Sequence, residues 1–189
     1  MWANKKQNTK GFTIVELLIV IVVIGILAAI SIVAFNGVQA RATDTRIKAV
    51  ANQLERAIVL WNTDSGVLPK GGWNSTVAFD GTNCVDGQGG WVTKGTYPCA
   101  LEDILTSKNY IPNGLITNTP PNKGYSTATT GIRTFMFYPC PNNQFALYWY
   151  LESPSASDTA SITAVESAGC PTAPRTTYAM KAAKLIALN

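Results

Sequence analysis

Glu16 is the one charged side chain in a run of 24 residues, 12–35, that is otherwise apolar or small. A carboxylate in such surroundings needs a named partner, because an ionised group taken out of water without one is strongly disfavoured. An acid in a first helical turn also offsets the helix dipole, but that holds in any helix and does not explain an acid inside an apolar run. Four cysteines, Cys84, Cys99, Cys140 and Cys170, all follow the run, and none stands two residues from another as zinc or thioredoxin-type motifs require. Their even number fits disulfides in an oxidising compartment. The chain has no histidine, so the usual general base and commonest metal ligand are both missing. Serine and threonine are plentiful without a visible base beside them, and no enzyme is expected. Asp80, Asn83 and Asp86 lack the alternate-residue spacing of an EF-hand, and Asp-Gly is ordinary turn chemistry, so no metal or other cofactor is expected. The aromatic group Tyr138, Phe145, Tyr148, Trp149 and Tyr150 reads as strand packing rather than a binding platform. Asn74-Ser75-Thr76 fits a glycosylation sequon, a pattern that often arises by chance.

As one helix the run spans roughly 36 Å, enough to cross a ~30 Å hydrocarbon core with some tilt. An ordinary signal peptide has a shorter apolar region and a small-residue cleavage site, so the run reads as a membrane span. A cut between Gly11 and Phe12 would free an α-amino group one helical turn from Glu16, an opposite charge for the carboxylate. A short basic leader, then Lys10-Gly11, then Phe12-Thr13-Ile14-Val15-Glu16-Leu17-Leu18, closely resembles the type IV pilin and type II secretion pseudopilin superfamily over residues 10–35. The resemblance continues more loosely to about Trp61. It implies cleavage after Gly11 by a membrane-embedded prepilin peptidase, methylation of Phe12, and a meeting of Glu16 with the N-terminal amine of a neighbouring subunit in a filament. The family usually carries a proline two-thirds of the way along the span, where Val33 stands here. A straighter helix is expected, with Gly25 and Asn36-Gly37 its weak points. Gly25, Ala28 and Ala29 form a small-residue face suited either to close helix approach or to filling.

Four segments follow: a leader over 1–11, a membrane and filament-core helix over 12–35, an amphipathic continuation over 36–62, and a globular head over 63–189. In the continuation Val38, Ile47, Val50, Leu54, Ile58 and Trp61 make an apolar stripe, with Arg41, Asp44, Lys48 and Glu55 largely opposite. Turn formers over 62–69 end the helix. In the head the sequence predicts short strands at 76–79 and 90–93, a helix at 101–108, and strands at 132–138 and 144–152 around a 139–143 hairpin loop. A further strand at 159–166 and a helical tail over 178–188 complete the reading. The fold class is α+β: a long N-terminal helix packed on a small antiparallel sheet, the lollipop shape that the resemblance implies.

Three of the four net positive charges lie in the leader. Without Lys5, Lys6 and Lys10 there are 12 basic against 11 acidic residues, which gives no basic face for nucleic acid. Flanking charges barely decide the topology; the cysteines and the resemblance place the N-terminus in the cytoplasm and the head outside. Four cysteines allow three pairings. The local one, Cys84–Cys99 with Cys140–Cys170, is expected, the second bond resembling the C-terminal disulfide loop of pilins. The chain reads as a structural subunit of a pilus-like filament. Its partners are its own copies and other pilins, the peptidase, the membrane, and a pilus or secretion assembly platform. Two alternatives stay open: a subunit of a secretion or DNA-uptake system, and a membrane-anchored binding domain that never polymerises.

Overall fold

The computed structural model describes residues 11–66, 90–92, 101–116, 125–127, 131–133 and 135–187. The expected strand at 76–79, the residues Asn74, Asp80, Asn83, Asp86, Cys84 and Cys99, and Leu188 lie outside them. The chain divides into two compact units, Met1–Gln39 and Ala40–Asn189.

One helix, α1 (Ile14–Ser65, 52 residues), supplies all of the described structure of the first unit beyond its first three residues, and continues into the second. It runs through Gly25, Gly37 and Val33 without a break. It ends at Gly66, whose positive φ of 68° suits a residue without a side chain and whose N–H donates to the Asn62 carbonyl at 2.8 Å.

The second unit is built on a four-stranded antiparallel sheet in the order β1 (Gly90–Trp91), β4 (Phe135–Cys140), β5 (Gln144–Trp149), β6 (Ala182–Ala187). A separate ribbon pairs β2 (Tyr125–Thr127) with β3 (Gly131–Arg133). The helices α2 (Leu101–Ser107), α3 (Ala156–Ser167) and α4 (Ala173–Thr176) complete the unit.

Alternation along the strands gives the sheet two buried faces. Phe135 and Phe137 of β4, Phe145, Leu147 and Trp149 of β5, and Ala182 and Ile186 of β6 form one core with Ile47, Val50, Leu54 and Ile58 of α1. Met136, Ala146, Tyr148 and Ala183 form a second core with Ile162 and Val165 of α3. Each of the large side chains fully buried in these layers contributes about 1.5–3 kcal/mol. The aromatic group is therefore largely core: Phe145, Tyr148 and Trp149 are buried, while Tyr138 and Tyr150 are half-buried at the edge of the second layer. The Tyr148 hydroxyl donates to the Pro171 carbonyl at 2.9 Å, and burial pushes its pKa well above the usual tyrosine value.

Two expected elements are corrected. Residues 159–166 are helical, within α3, despite their Thr, Ile and Val content. Ser155 and Asp158 make a reciprocal capping box, and Ile162 and Val165 fall on one buried helical face. The tail is the strand β6, not a helix. Its Ala, Lys and Leu favour helix, but the open edge of β5 offers a full ladder, and alternate residues bury on both faces. The hairpin loop is also tighter than 139–143. Pro139 and Cys140 belong to β4, opposite Phe145 and Gln144, leaving Pro141-Asn142-Asn143, whose two asparagines take positive φ. Pro139 stands one residue from the end of β4, past the positions paired with Gly90 and Trp91.

The polar side of α1 is not simply solvated either. Asp44 is buried, and its two carboxylate oxygens accept the Glu152 and Ser153 amides at 2.8 Å each. Lys48 pairs with Asp158 at 2.7 Å, and Glu55 with Lys184 at 2.7 Å. Cys140 and Cys170 are joined by a disulfide, Cα atoms 4.8 Å apart, across a sequence separation of 30. Gly169 beside it has a φ of 88°, and a Cβ there would stand 3.2 Å from the Pro141 ring.

Asp158 carries a testable pH dependence. Burial raises its pKa, but hydrogen bonds from Lys48 and from the Ser155 hydroxyl and amide outweigh that and hold it below the usual carboxylate range. A depressed folded-state pKa stabilises the fold above the unfolded value, near 3.9, and that stabilisation disappears as pH falls through the folded value. Asp158→Asn is expected to cost about 1–2 kcal/mol near neutrality, the scale of a lost cap and charged hydrogen bond with a half-exposed lysine partner. The two unfolding curves should converge in acid; curves that stay parallel from neutrality down to about pH 3 would refute the assignment.

Candidate assembly site at the start of the first helix

Gly11, Phe12 and Glu16 stand at the start of α1. Gly11 and Phe12 precede the helix, and Phe12 is 84% exposed. Glu16 does not stand free on the helix surface. Its Oε2 accepts the Thr13 amide at 2.8 Å and the Thr13 hydroxyl at 2.8 Å, while its own amide donates to Thr13 Oγ1 at 3.2 Å. This is a capping box: Thr13 stands just before the helix, Glu16 is the third residue inside it, and each satisfies an orphan donor of the other. The reading of the sequence missed Thr13. The signal was present as a threonine three residues before an acid at the head of an apolar run.

Beyond Glu16 the helix surface is apolar and uncovered. Every large hydrophobic side chain from Ile14 to Val38 is exposed, and the most apolar 18-residue window has a mean hydropathy of 3.3. A surface of that length and composition is not stable in water, and lipid or other helices must cover it. Ser31 returns its hydroxyl to the Leu27 carbonyl at 2.7 Å, so this polar group adds no unsatisfied donor to the apolar face. Gly25, Ala28 and Ala29 are exposed along the same stretch, with open space around Gly25.

Elsewhere among the described residues no three His, Cys, Asp or Glu side chains gather as a metal-binding group. A groove of about 700 Å³ beside α1 and β6 is lined by Asn52, Glu55, Arg56, Val59, Leu60 and Lys184, and within it Lys184 donates to Glu55 at 2.7 Å. Of the cysteines, Cys140 and Cys170 serve the head as a covalent tie, and Cys84 and Cys99 lie outside the described residues. Asp44, read from the sequence only as part of the polar side of the helix, and Ser155 and Asp158 fasten α3 and the segment before it to the second half of α1. What the described residues present is an apolar helix to be covered.

Comparison with known proteins agrees. The family described as the prokaryotic N-terminal methylation motif matches residues 6–32. The type IV major fimbrial protein FimA of Dichelobacter nodosus is 36% identical over 109 residues, covering 52% of this chain and 68% of that protein. The type IV major pilin protein PilE of Neisseria gonorrhoeae is 36% identical over 69 residues, 36% of this chain and 41% of PilE. A longer match, to PilE1 of the same organism, is 26% identical over 145 residues, 77% of this chain and 76% of PilE1. No solved structure matches the chain significantly. The chain belongs to the type IV pilin family. It is a pilin-type structural subunit and not an enzyme.

Proposed function

We propose that the chain is a prepilin: inserted in the membrane through residues 12–35, cut after Gly11 by a prepilin peptidase, methylated on Phe12, and polymerised through its first helix into a surface filament. The observation that carries this is the exposed apolar stretch of α1, interrupted only by a carboxylate at its start. Lipid covers that stretch in the single subunit, and the helices of neighbouring copies replace lipid in the filament. The Cys140–Cys170 bond supports a head on the oxidising side of the membrane, with the N-terminus in the cytoplasm. Residues 36–62 then link the filament core to the head over 63–189. Copies of the chain, other pilins and an assembly platform are its partners.

The named relatives are major pilins and fimbrial proteins, which favours a pilus over a secretion or DNA-uptake fibre. The reading as a membrane-anchored domain that never polymerises is separated by sedimentation, since only a filament subunit pellets as fibres once purified and mature. Processing is the direct test. Mass spectrometry of envelope-derived protein is expected to find an N-terminal peptide beginning at Phe12 and one methyl group heavier. Filaments that retain Met1, or cleavage near Ala34, would contradict the proposal.

A further inference from the structure

We infer that Thr13 is a positioning residue for assembly: it holds Glu16 in place in the lone subunit and leaves one carboxylate oxygen open for the neighbour. The inference rests on the proposed pairing of Glu16 with a neighbour's N-terminal ammonium, and goes beyond it by naming the residue that prepares the acid.

The geometry carries the argument. Both donors of Thr13, its amide and its hydroxyl, converge on the same oxygen, Oε2 of Glu16, at 2.8 Å each. The Glu16 amide returns to Thr13 Oγ1, closing three hydrogen bonds within one helical turn. Oε2 is thus saturated, while Oε1 accepts no hydrogen bond from the described residues and keeps both lone pairs. A glutamate has three side-chain torsions, and at the edge of a bilayer an untethered one would swing toward water to solvate itself. The cap removes that freedom. It keeps the carboxylate against the helix end and satisfies half of it, so the lone subunit can hold the acid at the apolar run before any partner arrives. The N-methylated ammonium of Phe12 keeps two N–H donors, and one of them can then take Oε1 without dismantling the cap. The ordering cost of the side chain has been met within the subunit, and a neighbour's docking does not have to meet it again.

Only the hydroxyl of Thr13 can be altered by mutation, since every residue but proline keeps the amide. Thr13→Val has the same shape and deletes two of the three bonds; Thr13→Ser restores them. The full chain, with each substitution, is produced in a strain lacking the wild-type copy. Three quantities are read: the Phe12 peptide mass, filament yield per processed subunit, and amide hydrogen exchange over the first turn in detergent micelles. Thr13→Val is expected to be processed normally, to exchange about fivefold faster at the Glu16 amide, and to lose filaments by about the same factor. Thr13→Ser should match wild type in both. The exchange measurement works equally on the uncut chain, so it decides the cap even where the peptidase rejects a variant. Wild-type exchange in Thr13→Val, normal filaments despite faster exchange, or a Ser variant as defective as Val would each overturn the inference. Filaments from Glu16→Leu would instead overturn the pairing on which it rests, so the two failures are distinguishable.

Discussion

Glu16→Leu is expected to leave membrane insertion, cleavage after Gly11 and folding of the head intact, and to reduce filaments to background. The reason lies in what changes between the lone subunit and the fibre. In the lone subunit the carboxylate stands at the end of the apolar run, held by Thr13 and within reach of interfacial water. In a bundle of apolar helices that water is gone, and a carboxylate without an opposite charge is strongly disfavoured. A neighbour that supplies its N-terminal ammonium at the matching height removes the penalty; any other stagger keeps it. On the proposed pairing, the two charges select one axial register and work against the rest. Leucine removes both the penalty and the selection, and the helices lose their common offset. Glu16→Gln sharpens the test, because glutamine can still accept from Thr13 as a capping-box residue while carrying no charge. It should keep the first turn ordered and still fail to assemble. The assay is filament yield from a strain without the wild-type copy, and normal fibres from Glu16→Leu would show that the pair does not direct assembly.

The second large effect concerns the head. Replacing both Cys140 and Cys170 by alanine is expected to lower its stability by about 3–4 kcal/mol, because a bond across a separation of 30 residues removes that much loop entropy from the unfolded chain. The loop encloses all of β5 and α3, so its release frees the central strand and the layer that covers one of its faces. Cys170 is buried, so alanine there adds a small packing loss to the entropic one. Denaturant unfolding of the oxidised protein against the double variant reads the difference. Filament assembly should survive near room temperature and be lost first on warming. A midpoint that does not move would mean that the bond contributes nothing to the fold.

Much of this molecule is legible in its sequence, but unevenly. The apolar run, its lone acid and the stripe through Ile47, Val50, Leu54 and Ile58 follow one helical period for many turns, and such patterns are hard to mistake. The core of the β4–β5 hairpin was equally visible in its alternating aromatics, although its ends are displaced by up to three residues and 132–133 belong to the separate strand β3. The misreadings came where local preference and tertiary environment disagree. The stretch around Thr159 and Ile162 has the composition of a strand, yet a serine and an aspartate three residues apart start a helix. The tail through Lys184 and Leu185 has the composition of a helix, yet the open side of β5 takes it as a strand. Asp44 looked like an ordinary surface acid, and nothing in its neighbours along the chain announces the two amides more than a hundred residues away that it accepts.

The two faces of the sheet are packed by different elements. One core layer is shared with α1, so a substitution at Phe137 or Leu147 is felt by the helix that must also serve assembly. The other is covered by α3, which lies wholly between the two bonded cysteines and turns Thr159, Thr163 and Ser167 outward. Variation accumulating on that outer side stays inside a covalently closed segment, with the capping box of Ser155 and Asp158 as its fixed point. A substitution on the outer side of α3 is thus separated by the whole sheet from the core that α1 shares.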